Sequence, residues 1–313
     1  MHRYKGIAAA TFSAFFLGLA PVFGRWAILE GFSPFLVVML RTVLATLFLF
    51  LLLLLSNRRL FYIFSVGMLA CFLAGLLNGL GSLLYYLALR HLSASLGQLI
   101  YSLYPFFVMV WMFFDGQSPS RLTLARMMLA FLSIAWLTYT PTQTPDWEGI
   151  LLMLGAALLY ALHLPINQRV LYEAPAPTVT FYTLLSMSLV VVIAYFALDR
   201  SLPPAGAAWP PLLGLTAVTF LSRLSLFLGV KHLGGVQAAL FGLAEVLVTI
   251  AFGKFWLHEM LTLRQWIGIL GLAVSLLTIR FEKLERPLHI PQGWLSWIRP
   301  PDIPPQVPWR PDR

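Results

Sequence analysis

Two ionisable residues stand deep inside apolar sequence, Arg223 and Glu245, where a charge is costly and therefore marks a functional position. Arg223 lies ten residues before the turn at Leu233 and Glu245 twelve after it. At 1.5 Å of helix per residue these are depths of about 15 and 18 Å, so the two side chains reach similar levels on neighbouring helices. Two chemistries fit that placement. One is a structural ion pair stapling two helices; the other is a proton- or substrate-responsive pair lining a path, with Glu245 as proton carrier and Arg223 as its partner or as the contact for a substrate carboxylate.

Further polar residues recur at helical spacing and define which faces must turn inward. The stripes are Asn78, Ser82, Tyr86; Gln98, Tyr101, Ser102, Pro105; Ala156, Tyr160, His163, Asn167; Thr216, Thr219, Arg223; and Ala238, Gly242, Glu245, Thr249. A lipid-facing Asn or Gln would lack partners, so these faces are expected to meet one another. The expected substrate path is Asn78, Ser82, Tyr86, Gln98, Tyr101, Tyr104, Tyr160, His163, Asn167, Arg223, Glu245 and Thr249. The competing reading of Asn78, Gln98, His163 and Asn167 is hydrogen-bond glue between helices, and of the tyrosines, packing. His163, two residues before Pro165, also suits a kinked backbone. Arg25 and Arg41 stand near the ends of their runs, where snorkelling is the default. Pro21, Pro105 and Pro165 each remove a backbone donor and are expected to bend their helices.

These residues are carried by ten apolar runs, at roughly 7–29, 34–55, 61–89, 94–114, 122–140, 149–171, 177–198, 210–230, 236–256 and 265–281. Most approach the ~20 residues a bilayer-spanning helix needs. With 59% hydrophobic residues, 11% charged residues and a mean hydropathy of +0.82, the chain is far more apolar than a soluble domain. It reads as an all-α integral membrane protein in the lipid bilayer. The net charge of +9 is too thinly spread for a nucleic-acid surface. The single Cys71 lies inside an apolar run and has no intrachain partner. No His, Glu or Asp cluster has metal-ligand spacing and no Gly-rich loop precedes a helix, so no cofactor, metal or enzymatic chemistry is expected. No loop is long enough for a nucleotide-binding domain.

The chain repeats itself. Lys231-His232-Leu233 falls on Arg90-His91-Leu92 at an offset of 231 − 90 = 141, and Leu263 falls on Leu122 at the same offset; Pro21 and Arg25 match Pro165 and Arg169 at 165 − 21 = 144. The last match also argues against a cleaved leader, since a removed segment has no reason to match an internal helix. Two five-helix repeats result, residues 6–141 and 147–283, followed by a proline-rich tail, 284–313, expected to be extended and disordered in the cytoplasm. Lys and Arg fall mainly in the loops on the side of the N-terminus, among them Arg3, Lys5, Arg58, Arg59, Arg121, Arg126, Arg169 and Lys231, against Arg90, Arg200, Lys254 and Arg264 opposite. By the positive-inside rule both termini are expected to be cytoplasmic. Five helices per repeat is an odd number, so the second copy is inverted relative to the first, which places a substrate site near the midplane. Gly268, Gly271 and Ser275 form a small-residue face suited to packing within the monomer or in a homodimer.

Each repeat resembles an EamA-type unit of the drug/metabolite transporter superfamily over about residues 6–283. The residues that carry the likeness are Pro34 followed by Arg41, Tyr104-Pro105, and Leu257-His258-Glu259 leading into Trp266-Ile267-Gly268. His258 departs from the family's Gly, Gly116-Gln117-Ser118 carries Ser for the corresponding Glu, and Val246 follows Glu245 where a Pro is usual. The resemblance implies a central cavity lined by spans one, three, four, six, eight and nine. It also implies a secondary transporter, an exporter coupled to protons, for a small organic metabolite such as an amino acid or a related compound, in the cell membrane. The alternative reading is a membrane-embedded enzyme or lipid-handling protein using the same cavity.

Overall fold

A computed structural model describes residues 2–116, 120–138, 146–203, 206, 208–257, 263–277 and 293–298. Twelve α-helices are present among them and no strands: α1 His2–Leu29, α2 Pro34–Ser56, α3 Ser65–His91, α4 Ala94–Tyr101, α5 Tyr104–Phe114, α6 Arg121–Thr138, α7 Trp147–Leu171, α8 Ala176–Leu198, α9 Pro210–Leu233, α10 Gly235–Phe241, α11 Leu243–Trp256 and α12 Leu263–Leu277. A 3-10 turn, Arg58–Phe61, follows α2. Among the described residues eight segments are long and apolar enough to cross a membrane, with α4–α5 and α10–α11 each counted as one. Helices α6 and α12, 18 and 15 residues long, fall outside that set, so of the ten expected spans eight meet the criterion.

Local chemistry starts and stops these helices. Ser33 accepts a hydrogen bond from the Leu36 amide ahead of α2, with Pro34 at its first position; Ser93 does the same for Leu96 in α4. Asp146 accepts from the Gly149 amide at the start of α7. These caps satisfy donors that the helix leaves open. Gly234, at φ 86°, makes the tight turn between α9 and α10 that an L side chain resists.

The fourth and ninth spans are both broken, for different reasons. In the fourth, Pro105 cannot donate to the carbonyl one turn back, and the chain turns at Ser102 and Leu103 between α4 and α5. The ninth contains no proline. Its break falls at Gly242, where an added Cβ would lie 1.5 Å from the Tyr104 hydroxyl. That hydroxyl lies 3.3 Å from the Ala239 carbonyl, next to the break. α1 and α7 stay helical through Pro21 and Pro165, so only Pro105 coincides with an interruption.

The two halves pack as inverted copies. α1 lies on α9 as α7 lies on α3, and α1 meets α11 as α7 meets α4 and α5, while α2 pairs with α8 and α6 with α12. Gly6 of α1 abuts His232 and Leu233, and Gly149 of α7 abuts His91 and Leu92. Arg25, near the end of α1, donates to the carbonyls of Leu89 and Arg90 at the end of α3. α1 therefore ends at the face of the bundle where α7 begins. Equivalent helices run in opposite directions.

Hydroxyl groups staple the halves together inside this apolar packing: Ser13 to the Ser222 carbonyl at 3.1 Å, Ser186 to Phe72 at 2.7 Å and Thr249 to Gly18 at 2.6 Å. Small polar side chains at close helix contacts are the usual adhesive where lipid offers no hydrophobic drive. The small-residue face of α12 is used within the monomer. Ser275 donates to the Arg126 carbonyl at 3.1 Å, and an added Cβ on Gly271 would lie 2.1 Å from Ser133 Oγ on α6.

Candidate functional site

Where the halves meet, their helices line a cavity of about 40 Å³. Eight of the twelve expected path residues line it: Asn78, Ser82, Tyr86, Gln98, Tyr101, Tyr160, Arg223 and Glu245. They come from α3, α4, α7, α9 and α11, and α1 closes the wall with Leu17 and Ala20. These are the spans the family resemblance implies, joined by α2 through Arg41.

Glu245 is buried and is held by neutral donors. Tyr104 Oη donates to its Oε1 at 3.1 Å, and Gln98 Nε2 to its Oε2 at 3.2 Å. Gln98 is oriented in turn by Tyr85 Oη, which donates to its Oε1 at 3.0 Å. Arg223 is held differently: one amino group donates to Asn78 Oδ1 at 3.2 Å, and the guanidinium carbon lies 5.3 Å from the Tyr160 ring centroid. Its Nε and Nη1 have no hydrogen-bond partner. Arg223 and Glu245 line one cavity without forming an ion pair within 4.0 Å among the described residues. The ion-pair staple read from the sequence is therefore not formed. Spacing along two helices sets depth and leaves open which way each side chain turns.

Arg41 corrects the sequence reading most sharply. Instead of snorkelling to a membrane surface it is 4% exposed and lines the cavity. Seven residues into α2, it donates to Thr219 Oγ1 at 3.0 Å and Ser82 Oγ at 3.1 Å, and its guanidinium carbon lies 4.7 Å from the centre of the Tyr86 ring. Those partners, all on inward polar stripes, make the inward rotamer affordable in apolar surroundings. Tyr85, also missed, stood next to Tyr86 on the same stretch. The signal that found Arg223, an ionisable group inside an apolar run, applied to Arg41 as well.

Tyrosine rings make much of the remaining wall. Tyr101 has ring centroids 4.8 Å from Tyr85, 5.5 Å from Tyr104 and 5.3 Å from Tyr160. The other four expected path residues lie behind the wall. Tyr104 buttresses Glu245; Thr249 bonds the α1 backbone at Gly18; Asn167 accepts from Thr183 Oγ1 at 3.0 Å. His163 bonds through Nδ1 to the Tyr160 carbonyl of its own helix, not to the Ala161 carbonyl that Pro165 leaves without a donor.

The two faces of the bundle differ. At the face that holds the start of α1, Arg169 donates to the buried Asp115, and the Leu295 amide donates to the same carboxylate at 3.2 Å. Burial holds the Asp115 carboxyl above the usual range, with Arg169 pulling it back. Residues 293–298 of the tail form a turn there with Leu295 and Ile298 buried, so this short stretch is seated where the composition reads as extended. At the opposite face the partners are more exposed: His91 Nδ1 lies 3.0 Å from Asp146, and the Gly149 amide and then His91 hold the Asp146 carboxyl below its usual range. His258, Glu259, Gln117, Ser118 and most of the tail lie outside the described residues.

An inverted pair of helical bundles closing on a polar cavity inside apolar surroundings defines an all-α membrane protein built as transporters are built. The model of the EamA-like transporter family matches residues 4–139 and again 147–281, and the chain belongs to that family. It is 27% identical over 170 residues to the uncharacterized transporter YwfM of Bacillus subtilis (strain 168), a match covering 51% of this chain and 56% of that one. The chain thus spans about half the length of the curated relative it matches. The crystal structure of another protein shares the fold, with a TM-score of 0.65 at 15% identity, over 87% of this chain and 96% of the other.

Proposed function

We propose that this EamA-family transporter is a secondary carrier that moves a small organic metabolite by alternating access of its two inverted halves around the Arg41–Arg223–Glu245 cavity. The observation that carries the reading is the placement of Glu245. It is the one acid among the cavity-lining residues, and its hydrogen-bond partners are neutral. Gain or loss of a proton there changes the cavity's net charge with no ion pair to break first, which suits a group that couples transport to protons. At about 40 Å³ the cavity is far smaller than the 300–1,000 Å³ of typical small-molecule sites. On this reading the halves must part to admit cargo. The excess of Lys and Arg at the face carrying the start of α1 supports a cytoplasmic N-terminus.

Proteoliposomes test this. Substrate counterflow, trans-stimulated by unlabelled substrate, is expected of a carrier and of neither a channel nor an enzyme. Glu245→Gln is expected to abolish uptake driven by a pH gradient while counterflow persists. Intact driven uptake in that variant would remove Glu245 as the coupling residue.

A further inference from the structure

Resting on the carrier reading, we propose that the transported compound is a monoanionic organic carboxylate, its carboxylate clasped between Arg41 and Arg223 and its apolar or aromatic body covered by the tyrosine wall. Three observations converge on this. The cavity lining carries two guanidiniums and one carboxyl group, an excess of one positive charge when all three are ionised. The arginines approach from different halves, and neither is neutralised by an acid: Arg41 is spent on two hydroxyls and Arg223 on one amide oxygen. Buried N–H groups remain unused on both, Nε of Arg41 and Nε and Nη1 of Arg223. Buried donors without partners are rare and costly in a folded protein, and a guanidinium presents its donors in a planar fork that matches a carboxylate.

The wall between them is aromatic. The rings of Tyr85, Tyr101 and Tyr160 pack edge to face or tilted at 4.8–5.3 Å, leaving an apolar lining beside the two cations. That pairing suits an anion with a planar or hydrocarbon body better than a polyol or a cation. Glu245 lies on a different helix from either arginine, and its charge opposes that of an incoming anion. Removing it should tighten binding.

Equilibrium binding by the purified full-length protein, followed by thermal shift and calorimetry, tests the site without requiring transport. The probes are acetate, butyrate, phenylacetate and indole-3-acetate, together with phenylacetamide and phenethylamine as neutral and cationic counterparts. Binding of the larger carboxylates is expected, with the amide and the amine at least tenfold weaker. Arg41→Gln and Arg223→Gln should each weaken carboxylate binding at least tenfold, Arg41→Lys less so, and Glu245→Gln should tighten it severalfold. The Lys variant keeps the buried charge, so a loss seen only in Gln variants that still unfold cooperatively is not a folding failure. The proposal is overturned if no carboxylate binds, or if the amide or amine binds as well as phenylacetate. Carboxylate binding without counterflow would instead sink the carrier reading and leave the site standing.

Discussion

The two halves share a scaffold and divide the chemistry. At the offset of 245 − 104 = 141 the second half has Glu245 where the first has Tyr104, and the two side chains touch across the interface at 3.1 Å. At 223 − 82 = 141, Arg223 corresponds to Ser82, and Ser82 accepts from Arg41, while Arg223 itself rests on Asn78 of the first half. Duplicated helices supply depth and packing to both copies. Glu245 and Arg223 stand in the second copy and the neutral groups that hold them in the first, whereas Arg41 of the first copy is held by Ser82 of its own half and Thr219 of the other. A site built this way is complete only when both halves meet, so its geometry reports directly on their relative position.

The sharpest way to break the comparison is at the point where the copies touch. Gly242→Ala sets a methyl group 1.5 Å from the Tyr104 hydroxyl, and an overpacked contact of this kind costs about 1–3 kcal/mol or more. The variant should lose transport and melt several degrees lower. Adding Tyr104→Phe, which removes the nearest clashing atom but leaves the ring carbon at 2.7 Å and the Ala239 carbonyl at 2.8 Å, should restore part of the stability while leaving Glu245 short of a donor. A double variant no more stable than Gly242→Ala would show that the contact is not what requires glycine. A finer test moves an acid into the first half. Asn78→Asp places a carboxylate against Arg223, filling the role assigned to substrate, and transport should fall about tenfold with normal protein yield. Unchanged transport would mean that Arg223 does not meet the cargo.

The smallest effect concerns the junction between the repeats. Gly149 corresponds to Gly6 at 149 − 6 = 143, and at that offset Asp146 and Glu148 stand where Arg3 and Lys5 stand in the first copy. The Asp146 carboxyl is held below its usual range by the Gly149 amide and by His91. Its contribution is therefore present above the ordinary carboxylate range and is lost only as pH falls through the lowered value. Hydrogen exchange in the first turn of α7 should stay slow through the ordinary range and quicken below it. Quickening already within that range would show that the cap is not what protects this turn.

Much of this architecture was legible in the chain because burying an unpaired charge or leaving a backbone donor open in lipid is so costly that each span announces itself. Arg223 and Glu245 stood out for the same reason. What stayed hidden depends on direction around a helix axis and on partners elsewhere in the chain. Arg41 lies near the end of its run, and only the hydroxyls of Ser82 and Thr219 draw it inward. The interruption at Gly242 has no proline to signal it, and the space left by its missing side chain is taken by Tyr104, 138 residues earlier (242 − 104). Leu295 belongs to a proline-rich stretch whose composition says nothing of Asp115, the acceptor that holds its amide.

That tail turn has a consequence for anything attached to the carboxyl end. Leu295 is fully buried beside the Asp115–Arg169 contact, so the turn at residues 293–298 is anchored to both copies at once, through the end of α5 in the first and α7 in the second. A fusion partner or affinity tag placed before Gly293 would sever that tether, whereas one added after Arg313 would preserve it.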